Sequence, residues 1–216
     1  MNGMPGFDGL IRPARALDAP AAGELLTATL GASADVLFGG GEHARAVERL
    51  ALLFAQPGHR MSWQWARVAE VGDQVAGLLL SLPGARLDAL SLDLLAPMLR
   101  LFRLPALLGI AWRGLPLVLG REAQPDEYYI AHIAVSPARR RQGIATALLA
   151  QADDLAAENG LRKLSLIVDR QNHPARRVYD RIGFNVVRVV RQPWVPARYH
   201  FTGYERRVKV LHQEEG

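Results

Sequence analysis

Apolar and polar positions switch between strand-like and helix-like spacing along this chain, and most switches fall at Pro or Gly. Phe7 to Arg12, ending at Pro13, predicts a short first strand. Leu17 to Leu30 has helical spacing, with Leu25, Leu26 and Leu30 on one side and Asp18 placed to cap its start. Gly39-Gly40-Gly41 breaks the pattern. It lacks the Gly-Lys-Ser/Thr ending of a phosphate loop and no strand clearly feeds it, so a hinge is the preferred reading. Glu42 to Ala55 then returns to helical spacing through Val47, Leu50, Leu53 and Phe54. Ser62 to Val71 and Gln74 to Leu82 are extended apolar runs joined by Gly72-Asp73, a hairpin signal.

The region Leu90 to Leu119 is the most apolar part of the chain and is broken by Pro97, Pro105 and Pro116, which predicts two or three short helices. Asp93, Arg100, Arg103 and Arg113 interrupt it. Its longest clean run, Leu104 to Trp112, falls far short of the ~20 residues a membrane span needs. Packing in the core is one reading of this insertion, over about 84–126; a lid or a homodimer contact is the other. After it the pattern becomes regular. Glu127 to Val135 predicts a strand, and Gln142 to Asn159 a helix with Ile144, Leu148, Ala152 and Leu155 in one stripe, stopped at Asn159-Gly160. A strand at Leu164 to Val168, a helix at Pro174 to Ile182, and strands at Phe184 to Val190 and Tyr199 to Leu211 complete the pattern.

Composition narrows the function classes. With 216 residues and half of them hydrophobic, a single domain over 1–216 is expected. There is no Cys, so thiolate metal sites, iron–sulfur clusters, disulfides and cysteine nucleophiles are excluded. Neither a signal peptide nor a membrane span is visible, and a cytoplasmic home is expected. Net charge is +5, unevenly placed: residues 1–126 carry 11 Lys and Arg against 12 Asp and Glu, whereas residues 127–216 carry 15 against 9. The C-terminal part is therefore where a polyanion or a phosphate-bearing cofactor would be met.

Two stretches carry the chemistry. In Val135-Ser-Pro-Ala-Arg-Arg-Arg-Gln-Gly-Ile-Ala-Thr146 a strand ends and a helix begins. Gly143 and Ala145 lie in its first turn and Arg139, Arg140 and Arg141 at its mouth. Free N–H groups, small residues and Arg make such a helix start a phosphate site; a basic cap that binds nothing is the plain alternative. About 30 residues on, Asn172-His-Pro-Ala-Arg-Arg-Val-Tyr-Asp-Arg-Ile-Gly-Phe184 spaces Asn172 and Tyr179 by about two helical turns, so both can face one cleft. In this order the two stretches resemble the GNAT superfamily of acetyl-CoA-dependent N-acetyltransferases. Arg140-x-x-Gly143-x-Ala145 is similar to its pyrophosphate motif, and Asn172, Ala175, Tyr179 and Gly183-Phe184 to its second cofactor motif.

The resemblance implies an α/β fold of α+β type: a mixed, mostly antiparallel sheet of about seven strands with splayed parallel middle strands and helices on both faces. It also implies that a pantetheine arm lies in the splay, pairing with the backbone of Ile133, Ala134 and Val135. The pyrophosphate would lie on the N–H groups of Arg141, Gln142, Gly143, Ile144, Ala145 and Thr146, beside Arg140. Asn172 and Ala175 would meet the pantetheine, and Tyr179 the sulfur. Amide formation from a thioester needs a neutral amine, a polarised carbonyl and a proton for the leaving thiolate. A strand N–H near Val135 suits the carbonyl, and Tyr179 suits the thiolate unless it only packs. Without Cys, direct sequential transfer is the expected scheme.

The general base is less legible. Some peptide-modifying relatives carry Glu five positions before the Asn, where this chain has Ile167. Glu127, Tyr129 and His132 are the candidates, with His132 as a plain strand residue the alternative; Asp169 shares a strand side with Ile167 but can equally cap a turn. No His spacing fits a metal, and no Gly-x-Ser-x-Gly elbow is present. A small-molecule or peptide amine is the expected acceptor, with neither nucleic acid nor membrane as partner. Another acyl-CoA donor, or a CoA-binding sensor without turnover, is the competing expectation.

Overall fold

A computed structural model of the chain describes residues 7–102, 107, 122–191 and 203–211. Seven strands form one sheet: β1 (Leu10–Pro13), β2 (Ala66–Val71), β3 (Gln74–Pro83), β4 (Tyr128–Val135), β5 (Lys163–Asp169), β6 (Asn185–Arg191) and β7 (Gly203–Val210). They lie in the order β1-β2-β3-β4-β5-β7-β6, every neighbouring pair antiparallel except β4 and β5. The expected mixed, mostly antiparallel sheet is thus present. Gly72 and Asp73 make the β2–β3 turn with φ of 52° and 57°, the doubly positive geometry this dipeptide favours.

The helices are α1 (Ala19–Leu30), α2 (Ala32–Leu37), α3 (His43–Ala55), α4 (Leu87–Asp93), α5 (Leu95–Leu101), α6 (Ile144–Glu158) and α7 (His173–Arg181). Leu25 and Leu26 of α1 and Leu50, Leu53 and Phe54 of α3 pack with Val68 and Leu78 on one face of the sheet. Ile144, Leu148 and Leu155 of α6 pack with Leu79, Ile130, Leu164 and Leu166 on the other. Both faces are covered, as the amphipathic stripes require.

Several boundaries differ from the sequence pattern for local reasons. Asp18 does not cap α1; its carboxylate accepts from the Arg15 N–H at 2.7 Å and pairs with Arg12, closing a 3-10 turn at Ala16–Asp18 that precedes the helix. The triple glycine makes a packed turn between α2 and α3: a Cβ on Gly39 would stand 2.1 Å from the Glu42 carbonyl oxygen. Ser62 accepts from Gln64 N–H and caps a 3-10 turn over Trp63–Trp65, so β2 starts only at Ala66. α6 begins at Ile144, later than the pattern suggests, because Arg141 and Gly143 take positive φ of 63° and 73°. Much of the apolar insertion and the start of the last predicted strand lie outside the described residues; α4 and α5 account for part of the insertion's expected helices.

A bulge in β4 matters most for function. Leu80 of β3 faces His132 while Ser81 faces Ile130, so Ala131 is an extra residue. An inserted residue reverses the side-chain alternation. Tyr128 and Ile130, then Ile133 and Val135, face α6, whereas Tyr129 and Ala134 lie on the opposite face. Next to the bulge, β4 loses β5: the two pair only through Tyr128, Tyr129 and Ile130. Beyond that point, among the described residues, His132–Val135 pair only with β3 and Ile167–Asp169 only with β7.

Candidate active site

The gap between β4 and β5 is flanked by the starts of α6 and α7. Ile133, Ala134 and Val135 line its β4 side, half-buried, and the backbone groups that point away from β3 have no strand partner among the described residues. At its end, Ser136 N–H donates to Ala76 and the chain turns into α6. Gly77 lets that helix sit tight on β3, since a Cβ there would lie 2.8 Å from Ile144 Cγ2. The paired positive φ at Arg141 and Gly143 turns successive N–H groups outward ahead of the free N–H groups of the first turn of α6, a concavity suited to an anion. Arg140, Arg141 and Gln142 are exposed at its rim, with Ala145 and Thr146 half-buried behind them. Among the described residues, Arg139, Arg140 and Arg141 have no acidic partner.

At α7, Asn172 Oδ1 accepts from Ala175 N–H at 3.2 Å, so the amide caps the helix and keeps its NH₂ available. The helix is anchored from below. Arg207, fully buried on β7, donates to Glu205 at 2.7 Å and to Asp180 of α7 at 2.5 Å, while Arg176 of α7 pairs with Glu205 at 2.9 Å. This fixes Tyr179, whose buried ring meets Phe184 edge-on at 5.7 Å. Burial pushes the Tyr179 phenol up to about 12, against the opposing charge of Arg207. Its hydroxyl has no hydrogen-bond partner among the described residues.

The candidate bases are separated by their surroundings. Glu127 is buried, accepts from Gln124 N–H at 2.8 Å and forms a short ion pair with Arg206. Tyr129 is buried and its hydroxyl donates to Glu122 at 2.7 Å; burial pushes this phenol well above its ordinary range. Asp169 accepts from Gln171 N–H at 2.8 Å and so caps the turn after β5. His132 is half-buried, with Nδ1 3.1 Å from Thr29 Oγ1 and no partner on Nε2 among the described residues. Burial first, then the Arg60 charge, push its imidazole down to about 4, against the opposing pull of Glu122.

Arg60, Glu122 and Thr29 escaped the sequence reading. Arg60 grips Glu122 with two hydrogen bonds of 3.0 and 2.6 Å, and Tyr129 completes the cluster. Burial would raise the Glu122 carboxyl, but the Arg60 pair and the Tyr129 hydroxyl outweigh it and hold it low. The available signal was an acid following the apolar run of the insertion; nothing local marks Thr29 or Arg60. No group of three or more potential ligands is disposed to hold a metal among the described residues. Likewise, no described helix is long and apolar enough to cross a membrane.

A family model described as the acetyltransferase (GNAT) family matches residues 64–184, more than half of the chain and both motif stretches. The chain belongs to the GNAT family. Among solved structures, an N-acetyltransferase from Staphylococcus aureus Mu50 superposes with a TM-score of 0.68 at 26% identity, covering 92% of this chain and 99% of that one. The ribosomal-protein-S18-alanine N-acetyltransferase from Escherichia coli shares the GNAT fold at 16% identity and a TM-score of 0.53, covering 97% and 98%. A Bacillus subtilis (strain 168) protein, provisionally named a ribosomal protein bS18-alanine N-acetyltransferase, is 38% identical over 58 residues. That match spans 27% of this chain and 38% of the relative's length.

Proposed function

We propose that this protein transfers an acetyl group from acetyl-CoA to a primary amine by direct attack. The observation that carries the reading is the strand gap beyond Ile130, which opens beside a glycine-started helix. The backbone groups of the Ile133–Val135 stretch that face away from β3 suit the amides of a pantetheine arm. The N–H groups from Arg141 to Thr146, with the charge of Arg140 and Arg141, suit a pyrophosphate. Asn172 offers its NH₂ and Ala175 a small surface. Acetyl-CoA supplies the activated carbonyl, and no metal is needed for the scheme.

His132 and Tyr179 lie on opposite faces of the sheet at this gap, which separates the two proton sites the reaction requires. The amine nitrogen bonds to the thioester carbon and passes a proton to His132 Nε2; the carbon–sulfur bond then breaks and the thiolate leaves beside Tyr179. An imidazole at about 4 cannot strip a free ammonium, so the amine arrives neutral and His132 takes its proton as the new bond makes the nitrogen acidic. A phenol near 12 is a hydrogen-bond donor to a thiolate of reference pKa ~8.5, not a full acid, so Tyr179 stabilises the charge and solvent completes the protonation. Glu127 and Tyr129 are already engaged with Arg206 and Glu122, which favours His132.

The acceptor is a small-molecule or peptide amine in a cytoplasmic setting. The partial likeness to the Bacillus subtilis protein makes a free peptide N-terminus the first acceptor to assay, although Ile167 stands where peptide-modifying relatives carry Glu. Thiol release measured across an amine panel for the wild type, His132→Gln and Tyr179→Phe tests the reading. Each variant should lose ~10²-fold or more in turnover while keeping acetyl-CoA affinity in direct titration. Tight acetyl-CoA binding with no thiol release on any amine would favour the sensor instead.

A further inference from the structure

We infer that Thr29 is a positioning residue for the reaction: its hydroxyl oxygen holds His132 as the Nδ1–H tautomer and so leaves the Nε2 lone pair as the proton acceptor. The inference rests on the reading of His132 given above. Its physical basis is a count of protons. A threonine hydroxyl carries one hydrogen and two lone pairs. Thr29 Oγ1 lies 2.8 Å from the Leu26 carbonyl oxygen, one turn back in α1, and 3.1 Å from His132 Nδ1. A carbonyl oxygen can only accept, and an O···O contact of that length without a proton is repulsive. The hydroxyl proton therefore goes to Leu26. The contact with His132 must then be Nδ1–H donating to Oγ1, and a neutral imidazole has only that one N–H.

Two features of the fold bring the pair together. The extra residue at Ala131 turns His132 out of register with Ile130, away from the α6 face; unbroken alternation would have put the two on the same side. Thr29 sits in the last turn of α1, two residues before Gly31 ends the helix with a positive φ of 58°, and is itself half-buried. Its back-bond to Leu26 is a common habit of Thr in helices, here used to aim its free lone pair. His132 occupies the part of β4 that β5 has left, beside the gap proposed for the acetyl donor, and its Nε2 has no partner among the described residues.

The test pairs a spectroscopic readout with kinetics. Nitrogen-15 NMR of labelled protein distinguishes the two neutral tautomers; the wild type should show His132 protonated at Nδ1. Thr29→Val keeps the branched shape and removes the acceptor. It should shift His132 towards the Nε2–H form and lower kcat ~10-fold or more, with the KM for acetyl-CoA unchanged. Thr29→Ser restores the oxygen and should restore both tautomer and kcat. A wild-type Nε2–H signal overturns the inference, as does a Thr29→Val protein with an altered tautomer and undiminished kcat. Full turnover by His132→Gln instead overturns the underlying base assignment while leaving the tautomer result intact, so the two failures are distinguishable.

Discussion

At the scale of single residues, the site separates groups that are already engaged from groups that remain available. Glu127 is buried against Arg206, and breaking a buried pair by neutralising one partner typically costs ~3–5 kcal/mol. Glu127→Gln should therefore lower the denaturation midpoint sharply, yet keep near-normal kcat in whatever fraction folds. Normal stability with abolished turnover would return Glu127 to the chemistry. His132, held at about 4, stays neutral across the working range, so no activity limb near its ordinary value of 6.5 is expected. The acid limb of kcat/KM should move with the acceptor's own ionisation when two amines of different pKa are compared. A limb fixed near 6.5 for both would contradict this assignment. These distinctions were not legible in the sequence, where Glu127, Tyr129 and His132 looked equivalent: what separates them is a partner that only the fold selects, Arg206 and Thr29 from far along the chain for Glu127 and His132, and Glu122 from across a turn for Tyr129.

At the scale of elements, local chemistry was readable wherever neighbours in sequence decide it. Gly72-Asp73 marked its hairpin and Asn159-Gly160 its helix end, because both depend on backbone preferences of adjacent residues. Asp18 was misplaced because Arg12, six residues away across a turn, takes its carboxylate. The bulge at Ala131 leaves no composition signal, since strand pairing with β3 creates it. The motif glycine was legible, its consequence less so. Gly143 adopts φ of 73°, which a β-branched side chain tolerates poorly. Gly143→Val should weaken acetyl-CoA binding at least ~10-fold by calorimetry through lost backbone approach, with a modest drop in melting temperature. Unchanged affinity in the folded variant would remove the pyrophosphate from this turn.

Across the whole molecule, internal ion pairs within the C-terminal part remove one charge of each sign and so leave its positive excess intact. Arg176, Arg206 and Arg207 are spent on internal ion pairs, and the exposed Arg140 and Arg141 at the start of α6 remain for a ligand. Ionisation also shapes global stability. Burial lowers both His59 and His132, so between pH ~4 and ~6.5 the unfolded chain binds more protons than the folded one. Stability should rise with pH through that window, and a His132→Gln variant should show a shallower rise in chemical denaturation. An equal slope in the two proteins would mean that His132 titrates normally. The central claim concerns group transfer, and its most direct measurement is product stoichiometry: CoA thiol released and acetylated amine formed, quantified together by thiol titration and mass spectrometry. Direct transfer predicts one of each per turnover, no thiol release without an amine, and no acetylated protein along the way. Thiol release without acetylated amine, or an acetyl group first found on the protein itself, would contradict it.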